Sequence, residues 1–186
     1  MPLDKLLKET KAKMDKSVEF VRTEFAGIRT GKASPGLVEN ISVDYYGTKT
    51  RMRELANIST PEPRLIVIHP WDPGAVGAVI KAIEQSDLGI TPISDGKILR
   101  IPIPELSEER RKDLTKLVKK MAEDGKVAIR NIRRAANDEI KRLRKEGLLP
   151  EDDSFREENE VQDLTDEHIE KIDELLKHKE EEIMEV

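Results

Sequence analysis

No cysteine occurs among the 186 residues, which excludes disulfides, thiolate zinc sites and cysteine nucleophiles. Aromatic residues make up only 3%: Phe20, Phe25, Tyr45, Tyr46, Trp71 and Phe155. The longest aliphatic run, Leu65-Ile66-Val67-Ile68, is far short of the ~20 residues that cross a bilayer. The opening Met1-Pro2-Leu3-Asp4-Lys5 has no apolar stretch of signal-peptide type, so a cytoplasmic address is expected. No GxxxxGK[ST] or GxGxxG loop is present, and so no nucleotide site of its own is indicated. The three histidines stand at no metal-ligand spacing. His168 and His178 read as surface residues, and His69, at a strand end, as structural. The glutamates at 157–158 and 180–182 read as solubilising faces, with nothing nearby to raise a pKa. These absences argue against an enzyme, and no cofactor or metal is expected.

What is abundant is charge. Charged residues make up 38% of the chain, against a usual quarter or so. The formal net charge of -5 hides a strong polarity. Segment 110–145 holds 14 Lys and Arg against 5 Asp and Glu, a net of +9. Segment 151–186 holds 4 against 16, a net of -12. The first 32 residues carry a net of +3.

Leu7, Met14, Val18, Val21, Phe25 and Ile28 recur at helical spacing, which predicts an amphipathic helix over about 3–29. A longer one follows over about 108–146, on a stripe running from Leu114 through Leu117, Val118, Met121, Gly125, Ala128, Ile132, Ala136 and Ile140 to Leu143. Ser107 is its expected N-cap, and Gly147 with Pro150 its stop signal. A third helix is expected from Thr165, as cap, to about Glu185, after an acidic connector at 151–160 with room for a partial helix. The middle, 33–105, reads as a small β/α/β unit. Strands are expected at 41–45, 65–68, 90–93 and 98–103, a turn at Gly47, and a short helix at 73–85. The expected fold class is α+β. An antiparallel three-helix bundle, 1–30 and 105–186, would carry an inserted domain, 31–104, with hinges near 30–32 and 102–106.

On the long helix Lys112, Lys116, Lys119, Lys126, Arg130, Arg133 and Lys141 fall in one sector of roughly 100°, centred roughly 145° from the apolar stripe. Arg144 falls in the same sector, Arg134 at its edge, and Glu123 is the one acid among them. A charge run of this kind can be a plain solvated face. It can also pair with the acidic third helix, although that helix docks on the apolar side and leaves the stripe's centre pointing away. The functional alternative is a phosphate track, whose affinity would fall steeply with salt. Arginine grips phosphate bidentately, which favours Arg130 and Arg133 over the lysines. The aromatics do not interleave with the stripe, so recognition of folded RNA by shape and backbone fits better than stacking on single strands. A helical adaptor or chaperone-like protein remains open on the residues alone. An enzyme would need an unseen site in the middle segment.

Five separated motifs occur in the order seen in ribosome recycling factors. They are Ile28-Arg29-Thr30-Gly31-Lys32-Ala33-Ser34-Pro35, Tyr45-Tyr46-Gly47, Ser86-Asp87-Leu88-Gly89, Glu108-Glu109-Arg110-Arg111-Lys112-Asp113-Leu114 and Arg130-Asn131-Ile132-Arg133-Arg134. The resemblance covers essentially the whole chain. It implies an elongated L, with a helical bundle and a small β/α/β domain joined by a flexible hinge. It also implies a monomeric translation factor that binds large-subunit ribosomal RNA after termination. With elongation factor G and its GTP hydrolysis, such a factor splits the ribosome and frees it from mRNA. By position it makes Arg133 the leading RNA contact, supported by Arg130, Arg110 and Arg29. Lys32 stands where the family usually has Arg, and Ala135 where an acid is common.

Overall fold

The computed structural model describes residues 2–185, with side chains from Asp4 to Glu185. It combines three long helices with small antiparallel sheets. By contacts the chain divides into two compact units. One takes residues up to Glu24 and Asp113–Glu181; the other takes Phe25–Lys112 and the chain end from Glu182.

The first unit is built on α1 (Pro2–Ala26), α4 (Glu108–Lys145) and α5 (Glu151–Met184). Helix α4 starts as the sequence indicates: the Arg110 amide donates to Ser107 Oγ at 3.2 Å, satisfying a donor the first turn leaves orphaned. It stops where Gly147 takes φ 72° and the Leu148 amide donates back to the Leu143 carbonyl at 3.0 Å. That is the Schellman arrangement, which a residue with a Cβ enters only at a cost. The short turn to Pro150 sends α5 back antiparallel. Leu6 and Leu7 of α1 pack near Ala136, Ile140 and Val161, whereas Val21 lies against Gly125 and Ile172. Thus α1 runs parallel to α5 and antiparallel to α4. Gly125 marks the closest approach: a Cβ there would stand 2.5 Å from Val21 Cγ2 and 3.3 Å from Ile172 Cδ1.

Helix α5 corrects the sequence reading. It begins at Glu151, not Thr165, and the acidic stretch 151–160 is helical throughout. Three acids in its first turn favour the positive end of the helix dipole. Its buried face carries Ser154, Glu157, Val161, Thr165, His168 and Ile172, at helical spacing. Four of these six are polar, so apolar periodicity fails to mark the first half. Thr165 is interior, its hydroxyl donating to the Val161 carbonyl at 2.7 Å. His168 is fully buried, against the expectation of a surface residue. Glu157 is buried as well, and burial raises its carboxyl pKa, which a solubilising face would not do.

The second unit contains a four-stranded antiparallel sheet of order β3-β4-β6-β5. Its strands are β3 (Ala56–Glu62), β4 (Leu65–Pro70), β5 (Ile93–Asp95) and β6 (Ile98–Pro102). Ile66 pairs with Ile101 and Ile68 with Leu99, putting four fully buried side chains on one face. Leu65 and Val67 are only half-buried, so the run at 65–68 alternates. Helix α3 (Val76–Glu84) covers that face through Val79 and Ile83. The strand expected at 90–93 begins only at Ile93, after Pro92, which has no amide to give a ladder. A hairpin of β1 (Ser42–Tyr45) and β2 (Thr48–Arg51), then one turn of helix α2 (Met52–Leu55), complete the core with Val43, Met52 and Leu55.

Candidate RNA interface

Helix α4 places its basic residues in three environments. Lys112, Lys116 and Lys141 are exposed, with no ion pair among the described residues. Arg130 is half-exposed, its Nη1 3.0 Å from Glu123 Oε1 two turns earlier on the same helix. An ion pair this open to water is worth at most about 1 kcal/mol, so a phosphate can displace it. The third group faces α5. Lys126, its side chain only 18% exposed, pairs with Asp173. Lys119 lies 3.6 Å from Glu180, and Arg133 Nη1 donates to Gln162 Oε1 at 3.4 Å.

The acidic helix therefore reaches further into the stripe than the wheel implied. The reason is which residues α4 buries. Ala122 and Ile129 are in the core, whereas Leu117 is 40% exposed. The buried face is rotated about 35° from the one drawn through the large apolar residues, on a 100° wheel. The stripe's centre then lies about 110° from the core instead of 145°. Gly125 contributes to this rotation, because its missing side chain lets Val21 of α1 and Ile172 of α5 close on that side. The outward cations are left as a band through Lys112, Lys116, Arg130 and Lys141.

Two expected contacts are not brought into that band. Arg110, although exposed on the first turn of α4, lies about 170° round the wheel from the stripe's centre. Arg29 is half-buried just beyond α1. Both belong to the second unit. Beside Arg29, the buried Thr30 hydroxyl donates to Glu182 Oε1 at 2.8 Å.

A polar contact inside the bundle was not foreseen. His168 Nε2 lies 2.7 Å from Asp15 Oδ1, and Nδ1 lies 2.6 Å from the Leu164 carbonyl. Both ring nitrogens thus face oxygen acceptors, one on α1 and one on α5 itself. The hydrogen bond to His168 holds the Asp15 carboxyl below its usual range, with Lys11 and Lys171 adding to the effect. The sequence signal was helical spacing: His168 stands seven residues after Val161 and four before Ile172.

No group of three or more His, Asp or Glu able to hold a metal ion occurs among the described residues. No described helix is long and apolar enough to cross a membrane. Among the described residues, the exposed cations Lys112, Lys116 and Lys141 lie along one side of α4.

Comparison with known proteins agrees with this arrangement. The family profile described as ribosome recycling factor matches residues 21–184. The ribosome-recycling factor of Carboxydothermus hydrogenoformans is 53% identical over 181 residues, covering 97% of this chain and 98% of its own. A solution structure of the ribosome recycling factor superposes with a TM-score of 0.81 at 41% identity, covering 100% of this chain and 99% of that one. A second similar structure has a TM-score of 0.71 and 47% identity over the full length of both chains. It is the T. thermophilus ribosome recycling factor, in an assembly with E. coli elongation factor G on the E. coli post-termination complex.

Proposed function

Because the chain belongs to the ribosome recycling factor family, we propose that it binds large-subunit ribosomal RNA through α4 and splits the post-termination complex with elongation factor G and GTP. Ribosome recycling is a translation-factor activity and not an enzymatic one. The energy comes from the partner's GTP hydrolysis, so the factor itself needs no cofactor, only the right shape and charge.

The observation that carries the RNA reading is the outward band on α4. Lys112 and Lys116 are free to meet phosphates, and Arg130 and Arg133 hold only weak contacts that RNA can replace. By family resemblance Arg133, which turns toward Gln162 at the edge of that band, is the leading contact; Arg130 supports it from within the band, and Arg110 and Arg29 from outside it. Lys119 and Lys126 contribute less, because each already faces a carboxylate on α5. The factor works as a cytoplasmic monomer. The crossings near 30–32 and 102–106 serve as hinges between the bundle, 1–30 and 105–186, and the inserted domain, 31–104.

Association with isolated large ribosomal subunits tests this. Wild type is expected to bind with a steep salt dependence, and Arg133→Ala to bind more weakly with unchanged helicity. Equal binding by the two at every salt concentration would remove Arg133 from the interface.

A further inference from the structure

We propose that Glu123 on α4 and Gln162 on α5 are positioning residues for RNA binding: each holds the Nη1 arm of one arginine, Arg130 and Arg133 in turn, and leaves the Nε–Nη2 edge of that guanidinium open for a phosphate. It rests on the reading of α4 as an RNA contact and deepens it, because it says how two cations of the stripe are aimed.

The engaged atoms are the same in both arginines. Arg130 Nη1 donates to Glu123 Oε1 at 3.0 Å, and Arg133 Nη1 donates to Gln162 Oε1 at 3.4 Å. Neither arginine forms another hydrogen bond or ion pair among the described residues. In each guanidinium the Nε–H and the neighbouring Nη2–H therefore remain unpaired. Those two parallel donors are the fork that grips phosphate bidentately. Either contact is weak enough for a phosphate to displace, yet neither stands in its way. Three residues apart, the two arginines are neighbours on one helix face.

Gln162 is itself held. Its Nε2 donates to Asp166 Oδ1 at 2.8 Å, one turn further along α5. An ionised carboxylate only accepts, so the amide puts its NH2 toward Asp166 and its oxygen toward Arg133. A relay of three side chains thus runs from Asp166 through Gln162 to Arg133, from α5 across to α4. At Arg130 the holder is a carboxylate on α4 itself, two turns earlier.

Glu123 is also the one acid within the basic sector. A carboxylate there repels phosphate, so charge alone gives it no place in an RNA contact. Its pair with Arg130 does little for the fold, because the two side chains are 37% and 56% exposed. Holding the guanidinium is what this acid can contribute. An arginine loses rotamer freedom when it is fixed on a phosphate, and an arm fixed beforehand reduces that loss. Lys112, Lys116 and Lys141 have no holder among the described residues and no fork to aim.

Equilibrium binding of the full chain to isolated large ribosomal subunits tests this, with variants compared at equal charge. Glu123→Gln and Glu123→Ala both remove the negative charge, and only Gln keeps an acceptor for Arg130. The Gln variant should bind about 2- to 5-fold more tightly than the Ala variant, the scale of one exposed contact. Gln162→Ala changes no charge and should weaken binding by about the same factor. Each difference should vanish without its arginine, the first in an Arg130→Ala chain and the second in an Arg133→Ala chain. Helicity should be unchanged throughout. An absent difference at either site would overturn the proposal, and if Arg133→Ala still weakened binding the α4 reading would stand. Differences that persist without the arginines would overturn it too, because the holders would then act by another route. No binding by wild type would overturn both readings.

Discussion

Asp15 on α1 and His168 on α5 meet at 2.7 Å, a hydrogen-bonded contact on a fully buried ring inside the bundle. The contact lowers the Asp15 pKa, so its stabilisation is present above the unfolded carboxylate value and is lost as pH falls through the lower folded value. Asp15→Asn should cost about 1 kcal/mol near neutrality, modest because half of the Asp15 side chain is exposed. For a chain of this size that is a fall of about 2–4 °C in Tm. Thermal melts should show the gap between wild type and variant closing below about pH 4, where the unfolded carboxylate also takes its proton. A gap that stays constant down to pH 3 would mean that the carboxylate charge is not what stabilises.

Gly125 and Val21 set the spacing of α1 and α4. Gly125→Ala places a Cβ 2.5 Å from Val21 Cγ2. Overpacking of this kind costs about 1–3 kcal/mol, partly offset by the gain of about 1 kcal/mol in helix propensity. Denaturant melts should show a net loss, and Val21→Ala in the same chain should recover more stability than additivity allows.

The three environments along α4 separate binding from folding. Lys116→Ala should lower the salt slope of RNA association by about one unit and leave Tm within about 1 °C. Lys126→Ala, which strands Asp173 on α5, should do the reverse: a measurable fall in Tm with little change in slope. Equal slopes for the two would mean that the pairing with α5 does not screen Lys126 from RNA.

The proposed hinge can be measured cleanly because the chain has no native cysteine. Single cysteines at Glu19 and Lys97, both exposed and in different units, accept a pair of spin labels without background. The distance distribution should be broad in the free protein and narrow on ribosomes. One narrow distance in both states would argue against hinge motion.

These tests follow the line between what the residues announced and what they hid. Helix α4 was legible at both ends, because Ser107 and Gly147 carry local signals that packing does not override. The start of α5 was hidden, because Ser154, Glu157, Thr165 and His168 occupy core positions that periodicity assigns to aliphatic residues. Burial of the His168 ring is met by the Leu164 carbonyl and by Asp15, 153 residues away, a partner no local window contains. The candidate interface was legible as a stripe and not as a set of environments. Large apolar residues fixed the drawn axis, whereas the true axis takes in the buried Ala122 and Ile129 and Gly125, whose missing side chain lets a neighbour approach. The turn at Gly47 could be read from the glycine, but the positive φ at Tyr46 appears only in the backbone.

Light scattering of post-termination ribosomes tests the central claim most directly. Splitting into subunits should require this protein, elongation factor G and GTP together, and Arg133→Ala should slow it while its fold stays intact. Splitting that proceeds equally well without this protein, or a folded Arg133→Ala chain that splits at the wild-type rate across salt concentrations, would contradict the account.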